Sequence, residues 1–497
     1  MYQSTQEENS MPCTTILVGK KASYDGSTMI ARNDDGFYDE KKLTVVTPDK
    51  HPLKYKSKIA HLEIQLPVNP LRYTSTPSIN QKNGIWAANG INEANVAMTA
   101  TETLTTNPLV MGADPYVRYE EKKGRNGKEK PGGLGEEDLV VLVLPYIRSA
   151  REGVIRLGYL LELYGTYEPN GIAFSDENEV WWFETIGGHH WIAKRIKDNE
   201  IVIMPNQFGI DSFDLNDAFG KQEYHMCSKD LKEFIENHHL NLNQKGIFNP
   251  RNIFGSHSDS DHVYNTPRAW FMGRYFAPYS YKWDGPDAVF TPESDNIPWS
   301  LVPDRKVTVE DVKYILSSYY QGTPYNPYSS VDHKEKGIYR TIGIARTGVM
   351  AVLQIRGYMP KEIKALEWIC FGSNAFNACL ATYANVDKMP KYLSNVTLDV
   401  STDNFYWGSR LIGALADPIY GSAIQLIERY QAAIANQSHE IINEFDAKYL
   451  EKPDYHLLYE ANEKLAKMAN KETIKCLNQV LLASSKAMKN NYNRADN

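Results

Sequence analysis

Cys13 heads an apolar, β-branched run, Cys13-Thr-Thr-Ile-Leu-Val-Gly19, and a cysteine so placed is a sulfur nucleophile once its proton is removed. A Lys-Lys-Ala-Ser-Tyr-Asp25-Gly26 turn follows, then a second strand-like run from Ser27 to Asn33, so the pair reads as a β-hairpin. Pairing Gly19 near Ser27 sets Cys13 across from Asn33 and brings Arg32 and Asp35 to the thiol. A guanidinium beside it is expected to lower the thiol pKa below its free value of about 8.5 and raise the thiolate fraction. The ordinary alternative is a cysteine buried as a small apolar side chain. Against it stands the polar cluster Arg32-Asn33-Asp34-Asp35 at a strand end, where a core should stay apolar.

Other reactive residues offer weaker patterns. His189-His190, and His225 beside Cys227, have no papain-type surroundings and read as core or surface histidines. The run His257-Ser-Asp259-Ser-Asp261-His262 matches neither a zinc HExxH motif nor an EF-hand, so it reads as a polar loop and no metal is expected. Without a Walker loop or a Gly-x-Gly-x-x-Gly after a strand, no nucleotide cofactor is expected either.

The elements that must position these residues can be outlined from periodicity. Residues 171–207 read as a meander of strands in one sheet, with Asn206 at a strand exit. Between Glu136 and Tyr164 a helical repeat takes over, through Leu139, Leu142, Ile147, Ala150, Val154, Leu157 and Leu161. Residues 120–135 read as a loop, either a mobile flap or an inert surface segment. Near the carboxyl end, Ile427, Tyr430, Ile434, Ile441 and Phe445 share a helical face, Pro453 interrupts, and Leu457, Leu465, Met468, Leu477 and Val480 suggest another helix. These faces either pack on their own domain or form a homo-oligomer interface, and the sequence leaves both open.

A chain of 497 residues can bury a large core. Its formal charge of −7, with no basic stripe, lacks the footprint of a nucleic-acid binder and points to small-molecule partners. Five cysteines without paired spacing fit a reducing compartment, and the first ten residues lack the apolar core of a secretory signal. The longest apolar run, 139–147, is far short of a membrane span of about 18 residues, so a soluble, cytoplasmic protein is expected.

Cys13-Thr14 at a strand head, a Gly-containing turn and an Arg32-Asn33-x-Asp35 box resemble the N-terminal nucleophile (Ntn) hydrolases of the penicillin V acylase and bile salt hydrolase type. Within them the chain is most similar to the dipeptidase A family of lactic acid bacteria. The resemblance runs through Gly90-Ile-Asn-Glu93, Ala100-Thr-Glu-Thr103, Gly135-Glu-Glu-Asp-Leu139, Glu179 to Glu184, Gly188-His-His-Trp191, Pro205-Asn-Gln-Phe208 and Asn265-Thr-Pro-Arg268, in order over most of the first 360 residues.

The resemblance implies an α+β fold, a four-layer αββα Ntn sandwich; the chain reads as one catalytic domain over 13–410, with a helical extension over 411–497 packed on it. It implies Cys13 as nucleophile with its own α-amine as base, after removal of residues 1–12. An α-amine with a reference pKa of about 7.7–8.0 needs only a modest shift to accept a proton near neutrality. Arg32 would hold the thiolate, Asp35 would orient the amine, Asn206 would lie against the nucleophile, and Arg268 would be a second active-site arginine. Where acylase relatives place an oxyanion-donating asparagine, this chain has Glu102, which cannot donate unless protonated; it is expected to read the α-ammonium of a dipeptide. The expected activity is hydrolysis of dipeptides. An acylase of the same fold and a non-catalytic binding protein on that scaffold are the alternatives.

Overall fold

In a computed structural model, which describes residues 13–36, 39–122, 127–244, 247–373 and 375–489, Cys13–Val18 (β1) and Thr28–Asp34 (β2) form the expected hairpin. The expected removal of residues 1–12 concerns a segment outside the described residues. The register differs from the expected one by a residue: Cys13 pairs with Asp34, Thr14 with Asn33 and Thr15 with Arg32. The turn explains the shift. The Gly19 N–H leaves the ladder for Glu200 O, those of Lys21 and Ala22 reach Asp198 O, and Tyr24 N–H reaches Val307 O. Asp25 Oδ1 then gathers Ser23 Oγ, Ser27 N and Ser27 Oγ, and pairing begins only at Val18 and Met29. Partners paired in an antiparallel ladder share a face, so Asp34 joins Cys13, Thr15 and Arg32 on one side of the sheet.

The hairpin lies at the centre of a seven-stranded antiparallel sheet. Its order is Ser300–Leu301, Ile201–Met204, β1, β2, Val349–Ile355, Ala365–Phe371 and Leu380–Tyr383. A second antiparallel sheet runs His225–Cys227, Trp191–Arg195, Val180–Thr185, Asn170–Ser175, Ala97–Thr99 and Asn89–Ile91, with Glu102–Thr103 also pairing with Asn170 and Gly171. The expected single meander over 171–207 is therefore divided: its last strand, Ile201–Met204, crosses to the first sheet and pairs with β1, Thr15 opposite Met204. That strand is apolar on both faces and buries both, Ile201 and Ile203 to one side, Val202 and Met204 to the other. The crossing brings Asn206, just beyond it, to the head of β1.

Three apolar clusters organise the packing. Leu17, Ile30 and Leu353 of the first sheet meet Ile91, Ala173 and Trp182 of the second. On the outer face of the second sheet, Phe174, Trp181 and Phe183 pack with Leu139, Val154 and Leu157. On the outer face of the first, Ile16, Val18 and Val352 pack with Val312, Ile427 and Leu465. The helical stretch from 136 to 164 is two helices, Glu136–Val143 and Ala150–Tyr164, divided at Leu144–Tyr146, where Pro145 has no N–H to continue the first. Ser149 caps the second by accepting from Glu152 N.

At the carboxyl end Tyr420–Glu451 and His456–Lys486 are long helices separated around Pro453, and the expected apolar face, Ile427, Tyr430, Ile434, Ile441 and Phe445, is buried. Helix Phe405–Ala416 runs through position 410. A buried ion pair ties the long helices to the first sheet: Arg356 Nη2 reaches Asp446 Oδ1 at 3.1 Å, and Tyr383 Oη donates to the same oxygen at 2.7 Å. Removing one partner strands the other charge away from water, so Arg356→Met should cost about 3–5 kcal/mol, read as a lower urea midpoint. An unchanged midpoint would show the pair to be solvated.

Candidate active site

The sulfur of Cys13 lies between the two sheets, fully buried. Arg32 Nη2 approaches it to 2.8 Å and also donates to Glu136 Oε1 at 2.6 Å, while Nη1 reaches Asp34 Oδ1 at 3.2 Å. Lys41 Nζ closes on Asp34 Oδ2 at 3.1 Å. Cys13, Asp34 and Glu136 present ligand-type atoms within 4.8 Å of one another. Arg32 donates to all three, so a cation there would have to displace a guanidinium.

The expected lowering of the thiol pKa is not found. Burial pushes the Cys13 thiol well up, Arg32 opposes this, and Glu102, Glu136 and Asp34 push the same way as burial. Burial is the largest of these effects and outweighs the guanidinium, a balance that favours the protonated thiol in the resting site. An attack through this sulfur needs a base within reach of it.

The other expected residues converge on the backbone of Cys13. Its N–H donates to Asn206 Oδ1 at 3.2 Å, and Arg268 Nη2 donates to the same oxygen at 2.7 Å. Arg268 Nη1 bonds Cys13 O and Thr14 Oγ1, Nε bonds Tyr264 O at 2.7 Å, and Nη2 also reaches Asn265 Oδ1 at 2.7 Å. Asn206 Nδ2 is held by Thr103 O at 3.1 Å, which fixes the amide with its oxygen toward the Cys13 nitrogen. Burial and the nearby Arg340 lower the Arg268 guanidinium to about 10.

Asp35 is placed differently from expectation. It is buried, but its carboxylate accepts from Arg340 Nη2 and Thr347 Oγ1, each at 2.6 Å, rather than from the Cys13 nitrogen. The shifted register is the cause: Asp34, directly across from Cys13, takes the place expected for Asp35. Glu102 is wholly buried; its Oε2 accepts from Thr15 Oγ1 at 2.7 Å, while Oε1 has no hydrogen-bond partner among the described residues. Burial, opposed by Arg268, raises its carboxyl to about 7.

Residues that the sequence reading left out complete the site. Glu136 opens a helix as its first residue, in a block that had been noticed only as part of the resemblance, and three consecutive acids at a helix start ordinarily read as dipole-favoured surface charge. Here all three are buried. Asn265, which holds Arg268 Nη2, stands in the sequence only as part of the resemblance block that ends in Arg268, and Arg340 has no local signal. His189 and His190 bond Asp114, and His225 bonds Asp217; none of these rings has a described contact with Cys13. Asp261 accepts from Ser256 and Ser258, and His262 faces Asp295, so the polar segment 257–262 is tied to its own loop and to Asp295 rather than to Cys13.

Buried carboxyls make stability depend on pH. Burial raises Glu102, Glu184 and Glu367 each to about 7, although Gly209 N and Trp182 Nε1 donate to Glu184 and Thr74 acts on Glu367. In the unfolded chain a glutamate titrates at about 4.3. A raised folded pKa gives a contribution fully present below that value and lost as pH rises through about 7. The folded protein should therefore lose stability between pH about 4 and 7, on the order of 3 kcal/mol per group. Urea midpoints across this range test it, and Glu367→Gln should shallow the slope; a midpoint that rises from pH about 5 to 7 would contradict it.

An α+β chain with a buried cysteine held by arginine, asparagine and carboxyl groups at a strand head has the makings of a thiol hydrolase, and comparison with known proteins places it. Residues 12–433 match the model of peptidase family C69. The chain is 50% identical to a dipeptidase of Bifidobacterium longum over 98% of its own length and 100% of that protein. It is 48% identical to a probable dipeptidase A of Streptococcus pyogenes serotype M3, over 98% and 100% of the two chains. With a dipeptidase A of Lactobacillus helveticus it shares 42% identity, over 94% and 96%. The chain belongs to peptidase family C69 and is a cysteine-type peptide hydrolase. Among the described residues no helix is long and apolar enough to cross a membrane.

Proposed function

We propose that the protein is a cytoplasmic dipeptidase in which Cys13, freed of residues 1–12, is both nucleophile and, through its α-amine, base. One observation carries this reading: the nitrogen of Cys13 is fixed by Asn206 Oδ1 at 3.2 Å beside its own buried sulfur, which has no described histidine contact to serve as base, while burial pushes the thiol pKa up. Once that nitrogen is an amine it takes the thiol proton, and the sulfur, steadied by Arg32, attacks the peptide carbonyl. The ammonium then returns its proton to the leaving amine, and water, activated by the same amine, hydrolyses the thioester. Asn206 orients the amine, and Arg268 positions Asn206 and the Cys13 carbonyl. Asp34 and Glu136 hold the Arg32 guanidinium in place.

Two facing sheets with helices over each outer face support reading the fold as the αββα sandwich of Ntn hydrolases. In that reading 13–410 is catalytic and the helices of 411–497 buttress the first sheet. Residues 1–12 leave when Cys13 attacks the carbonyl before it, or by choice of start site followed by trimming. The reaction as written uses no cofactor.

The substrate class is tested by measuring kcat/KM for free dipeptides beside penicillin V and a conjugated bile salt. Free dipeptides should be preferred by orders of magnitude. Preference for either amide would reassign the protein to the acylase side of the fold.

A further inference from the structure

On the outer face of the first sheet, three strands across from the head of β1, two other cysteines come against each other. Ala365–Phe371 and Leu380–Tyr383 pair with Ile369 opposite Leu380, and one step further in that register places Cys370 opposite Cys379. Ala384 N–H donates to Ala365 O, which marks that pair as hydrogen-bonded. Alternation along the ladder then makes Ile369 and Leu380 a hydrogen-bonded pair, and Cys379, the residue just before that strand, continues the register as a non-hydrogen-bonded partner of Cys370. Such pairs hold their Cα atoms about 4.5 Å apart with side chains on one face, within the window of roughly 4.4–6.8 Å that a disulfide spans.

Both are free cysteines. Cys370 is wholly buried, whereas Cys379 is 9% exposed. Cys379 lines a 310 Å³ cavity bounded by helix Val309–Leu316, helix Tyr420–Glu451 and Trp368, which lies two residues before Cys370 on the same strand face. A small molecule in this cavity meets Cys379 first.

We propose that Cys370 and Cys379 form a cross-strand dithiol that a small-molecule disulfide entering this cavity oxidises to an intramolecular disulfide. The Cys379 thiolate attacks one sulfur of the reagent, giving a mixed disulfide and one released thiol. Cys370, losing its proton, attacks the Cys379 sulfur and expels the second thiol. The two protein thiols give up two electrons and two protons, and the reagent takes both as its two thiols. Burial, opposed by Lys313 on the cavity wall, pushes Cys370 up to about 12 and Cys379 well up, so the pair responds to sustained rather than brief exposure. The bond would lock the strand Leu380–Tyr383, which holds the long helices through Asn462 and Asp446.

The test uses the full-length protein and hydroxyethyl disulfide at mildly alkaline pH. Trypsin releases both cysteines in one peptide, 365–388, bounded by Lys364 and Lys388 and separate from Cys13. After exposure this peptide should be two hydrogens lighter and resist alkylation in denaturant until a dithiol reductant is added. The thermal midpoint should rise by several degrees in the oxidised protein and not in Cys379→Ser, whose Cys370 stays alkylatable. Full alkylation of both residues after exposure, a mixed disulfide that stops at Cys379, or an equal midpoint shift in Cys379→Ser would each overturn the proposal.

Discussion

Cys13→Ala is expected to abolish dipeptide hydrolysis, a loss of at least about a thousandfold in kcat/KM, because no other described group can replace the sulfur that Arg32 holds at 2.8 Å. Alanine removes the nucleophile and, where Cys13 cleaves its own leader, the processing step as well. Cys227, Cys370, Cys379 and Cys476 replacements should each leave the activity near that of the parent, since all four lie buried outside the site. Initial rates on one dipeptide across the five variants check this. Substantial activity in Cys13→Ala would remove the thiol from the reaction.

Glu102→Gln should have the next largest effect. The Glu102 carboxyl, buried on the second sheet, is bonded through one oxygen to Thr15, two residues along β1 from Cys13, with the other oxygen unpartnered among the described residues. A buried carboxylate needs a positive partner, and a dipeptide supplies its α-ammonium. Losing a buried charged contact costs about 2–5 kcal/mol, so kcat/KM for free dipeptides should fall on the order of a hundredfold or more. Substrates with an acylated amino group cannot make the contact and should be slowed much less. Equal slowing of both substrate types would show that Glu102 serves the fold or the oxyanion side of the reaction instead.

Local chemistry was legible where it depended on neighbours in sequence. The β-branched run after Cys13, the glycine turn and the return to Arg32 announced the hairpin, and the spacing of Ile427, Tyr430, Ile434, Ile441 and Phe445 announced the long helix. What failed was decided by distant residues. The register moved because Asp198, Glu200 and Val307 capture the turn's N–H groups, and this exchanged Asp34 for Asp35 beside the thiol. The meander divided because Ile201–Met204 is apolar on both faces, a pattern that fits a strand in either sheet. Asn206 and Arg268 stand 193 and 255 residues from Cys13, and only the resemblance, not periodicity, singled them out. Glu136 escaped because acids at a helix start belong at a surface by ordinary expectation, whereas this helix start is buried against Arg32. The thiol pKa was misjudged for the same reason: one arginine was visible beside Cys13, but the carboxyls and the burial that outweigh it are products of the fold.

The central claim is that the amine of Cys13 is the base, and the state of that nitrogen tests it most directly. Intact mass and N-terminal sequencing should be read on the same sample as the dipeptidase rate, for the parent and for a chain whose segment before Cys13 cannot be cleaved. The active parent should begin at Cys13, and the uncleaved chain should be inactive although folded. Full activity from a chain verified to retain residues 1–12 would contradict the mechanism, because its Cys13 nitrogen is an amide that cannot accept the proton.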